Sequence, residues 1–343
     1  MGIRGKLSRP IILFLSVIIV SCSDTKKESS GTSKTLKNEA SLNLEVPKFN
    51  EDSAYNYLAS QVSFGPRIPN TRAHTDCGDY LLSKLESFGV KVEEQQFKEE
   101  AFDGTLLYLR NIIGSINPSA SKRILLAAHW DTRPFSDKDE DDPRGTFDGA
   151  NDGASGVAVL LEIARIISQD SLQNIGLDFI FFDGEDYGEP HNNSNSLPLK
   201  NGLKSWWCLG SQYWSNNKHQ KNYNAFYGIL LDMVGAKGAT FYKEGYSMAN
   251  APSVVNKVWK TAQALGYGSY FVNSNTGQIT DDHVFVNEIG KIPMIDIIDY
   301  KSDTFFFEHH HTQKDDLDYI SEETLKAVGQ TVLQVIYQED MSS

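Results

Sequence analysis

Four almost continuously apolar runs place the strongest constraint on how this chain can fold. They occupy residues 124–128, 177–182, 227–231 and 292–298. A short apolar run without polar alternation is typical of a strand buried on both faces, as in a parallel sheet between two layers of helices. Residues 90–97 and 106–115 fit further strands. The pattern predicts an α/β fold: a three-layer sandwich with a central mixed, mostly parallel sheet covered by helices on both faces.

Acidic and imidazole side chains follow directly after three of these runs. His129 and Asp131 follow the first, Glu185 and Asp186 the second, and Asp232 the third. Because the carboxyl ends of parallel strands meet at one edge of a sheet, we expect these side chains to lie close together. Carboxylates mixed with imidazole suit zinc, and a catalytic zinc keeps one coordination position open beside three protein ligands. Glu185, adjacent to a candidate ligand, is well placed to act as general base and acid.

Three later features supply further candidate residues. Asp152 lies in a glycine-rich segment that leads into a predicted helix, where it is either a metal ligand or a helix N-cap. Asp281 precedes a second aspartate, and His310 and His311 belong to a triple histidine. No serine lies in a recognisable nucleophile turn, so the sequence favours metal chemistry over a Ser-His-Asp mechanism.

These residues belong to motifs that span most of the chain from about residue 50 onward. The motifs are AAHWD, GANDGASG, FFDGEDYG, LLDMVGA, TDDHVF and HHT. Together they resemble the zinc-dependent aminopeptidase family and, within it, the glutaminyl cyclases of the animal type with their bacterial relatives. These motifs are highly specific for the fold and the metal. They distinguish less well between the two activities.

The resemblance implies a metal site that differs between these two activities. Aminopeptidases hold two zinc ions with five residues, which correspond here to His129, Asp152, Asp186, Asp232 and His311. Cyclases hold one zinc with three residues, which correspond to Asp152, Asp186 and His311. One zinc ion is therefore expected for a cyclase, and two for an aminopeptidase.

The resemblance also implies roles for the acids around this metal site. The catalytic glutamate of the family corresponds to Glu185, and a hydrogen-bonded pair of acids corresponds to Asp232 and Asp281. In a cyclase, His129 would be either a ligand retained from a second metal site or a residue that supports the zinc ligands without binding the metal. Asp131 would orient its neighbours.

Several positions bear on the choice between cyclase and aminopeptidase. Asp281 stands where aminopeptidases tend to have serine, and Trp206 and Trp207 provide the aromatic pocket expected around a small uncharged side chain. Two positions depart from the cyclase pattern: His310 stands where cyclases often have tryptophan, and Asp186 where many relatives have glutamate. The predicted substrate pocket therefore comprises Trp206, Trp207 and His310.

The resemblance implies a zinc-dependent glutaminyl cyclase, an acyltransferase that converts the N-terminal glutamine of peptides and proteins to pyroglutamate with release of ammonia. The first alternative is a zinc aminopeptidase, because the same ligands could hold a second metal and a bound hydroxide. A second alternative is a non-catalytic lipoprotein that only binds peptides.

The amino-terminal segment predicts export and lipid anchoring. Basic residues precede an apolar run over 11–20 that ends at Ser21-Cys22, and residues 19–22 resemble the lipobox of bacterial lipoproteins. An ordinary secretory signal cleaved nearby is the alternative. We predict a lipoprotein signal peptide at 1–21, a flexible tether at 22–45 and a single catalytic domain at 46–343. The protein would then be anchored through Cys22 in the bacterial cell envelope, on the periplasmic side or at the outer membrane.

Charge and cysteine content limit the partners and the redox chemistry. The formal net charge of -13 argues against nucleic acid and anionic membrane surfaces as partners. Besides Cys22 the chain has Cys77 and Cys208, for which the sequence leaves open a disulfide or two buried free thiols. We expect a monomer.

Overall fold

The computed structural model describes residues 44–170, 172–190, 197–200 and 202–342. The predicted signal peptide, Cys22 and the tether up to residue 43 lie outside the described residues. Among the helices of the described part of the chain, none has both the length and the apolar character needed to cross a membrane.

Helices and strands alternate along most of the described chain. The α-helices are α1 Glu51–Val62, α2 Arg72–Ser87, α3 Ala154–Gln169, α4 Leu209–Asn216, α5 Gly245–Asn250, α6 Pro252–Ala264, α7 Asp282–Glu288 and α8 Glu322–Met341. The strands are β1 Lys91–Glu100, β2 Leu106–Ile116, β3 Arg123–His129, β4 Gly176–Phe182, β5 Tyr227–Asp232, β6 Phe241–Lys243, β7 Phe271–Asn275, β8 Met294–Ile298, β9 Tyr300–Lys301 and β10 Phe305–Phe306. A short 3₁₀-helix covers Leu317–Tyr319.

The main sheet has six strands in the order β1-β2-β4-β3-β5-β8. β4, β3, β5 and β8 are parallel to one another, whereas β2 is antiparallel to both of its neighbours. The chain passes from β3 to β4 on one side of β3 and then returns to β5 on the other side. Such a reversal of strand order opens a crevice at the carboxyl ends of the strands, which is the usual ligand site of this architecture.

Alternate residues of each central strand contact different helical layers. Ile124 and Leu126 of β3 belong to a core cluster that includes residues of α1, α3, α6 and α8. Leu125 belongs to a second cluster with Trp214 of α4 and Val286 of α7. Both faces of the sheet are therefore covered by helices, which explains why the strand sequences show no polar alternation. The predicted three-layer α/β sandwich with a mixed, mostly parallel sheet is confirmed.

Candidate active site

Asp131 fixes the backbone of the acid pair that follows β4. Its Oδ1 accepts a hydrogen bond from the Glu185 amide at 3.0 Å, and its Oδ2 accepts one from the Asp186 amide at 3.1 Å. Asp131 itself is fully buried after β3. Gly184, with φ of 69°, allows the tight turn between β4 and the two acids. A carboxylate from one strand therefore positions the acids that end its neighbour.

Buried long-range contacts hold the loop that carries Asp152. The carboxylate of Asp315 accepts hydrogen bonds from the Asn151 amide at 2.7 Å and the Asp152 amide at 3.0 Å. The guanidinium of the buried Arg67 donates to backbone carbonyls of the preceding turn. The cap position of α3 is Gly153, whose φ of 93° favours glycine, so the Asp152 side chain does not cap this helix. Its carboxylate is free to face the site.

One nitrogen of His311 faces both Asp186 and Asp152. The Nε2 atom of His311 lies 3.1 Å from Asp186 Oδ1 and 3.5 Å from Asp152 Oδ2. Ligand atoms of a tetrahedral zinc site lie about 3.3 Å apart, given Zn–N and Zn–O distances near 2.0 Å. Asp152 Oδ2 is buried without a hydrogen-bond partner among the described residues, as expected for an atom reserved for a metal. These three residues fit a zinc ion.

Asp137 orients the His311 imidazole from the side opposite this point. The Nδ1 atom of His311 lies 3.2 Å from Asp137 Oδ1, and Asp137 also forms an ion pair with Arg133 at 2.8 Å. A carboxylate on the second ring nitrogen is the common support for a metal-binding histidine, because it fixes the tautomer and the ring orientation. Asp137 and Arg133 were not among the residues predicted from the sequence, where residues 137–142 suggest only an acidic loop.

His310 belongs to the same cluster. Its Nε2 lies 3.6 Å from Asp152 Oδ2, and its ring centroid is 3.7 Å from that of His311. Lys138 Nζ lies 2.5 Å from its Nδ1. Burial, reinforced by the neighbouring His311, lowers the pKa of His310 well below its usual value, so the ring is neutral. The residue predicted as a pocket wall therefore also offers a nitrogen to the metal site.

A second donor group lies on the other side of Asp152. His129 Nε2 is 3.1 Å from Asp152 Oδ1 and 3.2 Å from Asp232 Oδ1. Asp152 thus presents one oxygen to His311 and the other to His129, which is the arrangement of a bridging carboxylate. Although burial acts against it, contacts with Asp131, Asp152 and Asp232 raise the pKa of His129 well above its usual value. The donor set fits one zinc ion, and a second beside it.

Glu185 lines the cavity beside the metal ligands and is the candidate base. Its Oε1 accepts a hydrogen bond from the buried Cys208 thiol at 3.1 Å. Burial raises its pKa well above the usual value, opposed by His129 and reinforced by Asp186 and Asp281. A carboxyl group with a raised pKa can both accept and return a proton near neutral pH.

Asp232 and Asp281 both line this cavity, and the hydrogen bond expected between their carboxyl groups stays a prediction. Asp232 Oδ1 faces His129 at 3.2 Å, and Asp281 Oδ1 accepts from the Asp282 amide at 2.5 Å. Asp281 Oδ2 is buried without a hydrogen-bond partner among the described residues. Burial, together with Asp281 and Asp152 and against His129, raises the pKa of Asp232 to about 7.

The acids and imidazoles form one side of a cavity of about 330 Å³. Its apolar wall consists of Trp207, Met233, Ile279, Ile298 and Phe306. The Trp207 ring lies parallel to the His311 ring, with an interplanar angle of 2° and centroids 6.1 Å apart. The cavity is large enough for a small side chain, and its apolar residues lie opposite the acids' polar environment.

The structure separates the two neighbouring tryptophans that were predicted to line the pocket. Trp206 is buried away from the cavity and donates its indole N–H to the Leu197 carbonyl at 3.2 Å. The backbone bends at these two residues, and only Trp207 lines the cavity. Cys77 and Cys208 are buried free thiols.

The match to known proteins agrees with this fold and donor set. The model of Peptidase family M28 matches residues 111–336, which include every residue of the donor groups described above. The chain therefore belongs to peptidase family M28.

Two solved structures and one curated relative are similar to this chain. A Zn-dependent exopeptidase from Parabacteroides distasonis ATCC 8503 is 55% identical with a TM-score of 0.81, over 85% of this chain and 99% of that chain. Bacteroides thetaiotaomicron glutaminyl cyclase bound to N-acetylhistamine is 52% identical with a TM-score of 0.81. The match covers 85% of the present chain and 99% of that cyclase chain. The glutaminyl-peptide cyclotransferase of Drosophila melanogaster is 26% identical over 182 residues. This alignment covers 52% of the present chain and 47% of the fly protein, so the chain spans about half the length of that relative.

Proposed function

We propose that this chain is a zinc-dependent glutaminyl cyclase, which converts N-terminal glutamine of peptides and proteins to pyroglutamate with release of ammonia. The observation that carries the proposal is the position of Glu185. Its carboxyl group lines a small cavity between the metal-ligand group and Asp281, and its pKa is raised well above the usual value. The similarity to the Bacteroides thetaiotaomicron glutaminyl cyclase supports the same reaction.

The reaction needs one proton carrier and no activated water. Zinc held by Asp152, Asp186 and His311 would supply Lewis-acid polarisation of the glutamine side-chain carbonyl. Glu185 accepts a proton from the α-amine as the nitrogen attacks the side-chain carbonyl carbon, and returns it to the amide nitrogen that leaves as ammonia. Because nucleophile and electrophile belong to one residue, holding that residue in the attack geometry contributes much of the rate enhancement.

The remaining cavity residues hold the substrate in this geometry. Asp281 and Asp232, which both line the cavity, provide carboxylates for the α-amino group of the substrate. Trp207 and Phe306 enclose the methylene groups of the glutamine side chain, where aromatic faces exclude water. Asp131 fixes the positions of Glu185, the base, and Asp186, the adjacent ligand, through the two hydrogen bonds that it accepts from their backbone amides.

Ammonia release tests this function directly. The purified zinc-loaded protein should release one ammonia per Gln-initiated peptide, leave every peptide bond intact and contain about one zinc ion per chain. The same peptide with an N-terminal alanine is the control and should release nothing. Free amino acid from either peptide together with two zinc ions per chain would overturn the cyclase proposal.

An aminopeptidase is the second candidate function, and one observation favours it. His129, Asp152 and Asp232 form a buried group with the spacing of a second zinc site, as a two-metal peptidase requires. The similarity to the Parabacteroides distasonis Zn-dependent exopeptidase agrees with this alternative. The ammonia assay separates the two functions, and the absence of both products would favour a protein that only binds peptides.

We further propose that the chain is exported and held at the bacterial cell envelope by a lipid on Cys22, and that it acts as a monomer. The lipobox-like residues 19–22 support the anchor. Cys22→Ala should move the protein from the membrane fraction to the soluble fraction in the native host, while Cys77→Ala should not. Unchanged fractionation of the Cys22 variant would contradict the anchor.

A further inference from the structure

A series of buried ionisable side chains extends from the cavity into the second helical layer. Glu244, His283 and Asp296 are all fully buried, and none of them has a role in the reaction described above. The Nε2 atom of His283 lies 3.2 Å from Glu244 Oε2, and its Nδ1 lies 3.8 Å from Asp296 Oδ2. One histidine on α7 therefore lies between a carboxylate at the start of α5 and a carboxylate on β8.

Asp296 connects this group to the cavity. Ligand-type atoms of Asp281, His283 and Asp296 all lie within 4.8 Å of one another, and Asp281 lines the cavity. Both Asp296 oxygens, Asp281 Oδ2 and both ring nitrogens of His283 are buried, and none of them makes a hydrogen bond of good geometry among the described residues. Two carboxyl groups this close together in a buried site are not both ionised, and a proton shared between them would pair one oxygen of each.

Glu244, the member of this series that lies farthest from the cavity, carries a permanent negative charge. Glu244 accepts hydrogen bonds from the amides of Tyr246 at 2.7 Å, Ser247 at 2.6 Å and Ile279 at 3.2 Å. Although burial opposes it, His283 and these donors lower the pKa of Glu244 to about 2. A permanent carboxylate beside a buried imidazole favours one orientation of the ring.

We propose that Glu244, His283 and Asp296 form an acid–imidazole relay that positions Asp281 for the reaction. Glu244 holds His283, the Nδ1–H of His283 faces Asp296, and Asp296 shares a proton with Asp281. The shared proton fixes the direction in which the Asp281 carboxylate meets the substrate amine. All three act through Asp281 and are positioning residues. The role in turnover rests on the proposed cyclase function, whereas the shared proton does not.

Two substitutions of Asp296 test the relay. Asp296→Leu removes the partner of Asp281 and should lower kcat by about tenfold to a hundredfold, the effect of one hydrogen bond to a charged group, with little change in KM. Asp296→Asn keeps a donor toward Asp281 and should restore most of this loss. A purely structural role predicts the opposite readout: a lower melting temperature with unchanged kcat per folded molecule.

The pH profile and an infrared measurement complete the test. The groups that face His283 are Glu244 and Tyr246 from the α5 region, Asp296 from β8, and Asp281 and Asp282 at the start of α7. Both Asp296 variants should shift the kcat/KM profile against pH. The infrared carbonyl band of a buried carboxylic acid in the wild type should lose intensity in Asp296→Asn, whatever reaction the enzyme catalyses.

Asp299→Asn is the matched control, because Asp299 is a buried aspartate just beyond β8 that accepts a backbone hydrogen bond from Thr240. It should leave kcat and the infrared band unchanged. Wild-type kcat/KM and an unshifted pH profile in Asp296→Leu would overturn the relay. The relay would also be overturned if the wild type bound a second metal ion besides the catalytic zinc and Asp296→Leu no longer bound it. A wild type that releases no ammonia yet shows the infrared change would reject only the cyclase function.

Discussion

Glu185→Gln should lower kcat by about 10²-fold to 10⁴-fold, the range that a positioned general acid–base contributes. Glutamine keeps the size of the side chain and an acceptor for the Cys208 thiol, but it cannot take a proton from the substrate amine. Glu185 is not among the zinc-ligand residues, so the variant should retain zinc and its melting temperature. Steady-state ammonia release, with zinc content measured on the same sample, checks the expectation.

Glu189→Gln serves as the control for this substitution. Glu189 follows Glu185 on the same loop, and it is outside the set of described residues that line the cavity. Turnover close to wild type in Glu185→Gln, at full zinc content, would assign the proton transfer to another group. Loss of zinc together with turnover would instead identify Glu185 as a ligand.

Asp131→Asn should weaken zinc binding and turnover together, by about tenfold to a hundredfold, as is typical for a group that orients metal ligands. The two oxygens of Asp131 receive the amides of Glu185 and Asp186, and an asparagine would place an N–H against one of these donors. The unpaired amide would move the base and the ligand at once. Zinc affinity from a competing chelator, followed by kcat at saturating zinc, measures both effects.

Asp76→Asn is a suitable comparison, since Asp76 is a partly exposed aspartate on α2 whose partner is Arg72. It should behave as the wild type in both measurements. If Asp131→Asn bound zinc with wild-type affinity and turned over normally, the two backbone hydrogen bonds would not be needed to hold the acid pair.

The sequence predicts the fold well because each central strand is buried on both faces. Burial removes the polar alternation, so residues 124–128 and 177–182 are recognisable as strands without knowledge of their neighbours. Once these strands are parallel, the residues that follow them must meet at one edge. His129, Glu185 and Asp232 were predicted to meet for this reason.

The groups that support the site could not be predicted in the same way. Asp315 holds the amide of Asp152 across 163 positions of sequence, and Arg67 reaches the same loop from the turn before α2. Nothing in the local pattern around either residue indicates such a distant contact. The different directions of Trp206 and Trp207, and the pairing of Asp232 with His129, likewise depend on side-chain geometry that spacing does not determine.

The attachment of the acid pair to Asp131 has a consequence for motion within the enzyme. Glu185 and Asp186 are joined covalently to β4 and by two hydrogen bonds to the residue just beyond β3, so the two acids are expected to move together with both strands. Separating them from β3 requires breaking hydrogen bonds to a buried charge, each worth about 1.5–3 kcal/mol. The aromatic wall belongs to other segments, such as Trp207 before α4 and Phe306 on β10. Fluctuations that admit a peptide can therefore widen the cavity without changing the distance between base and metal ligand.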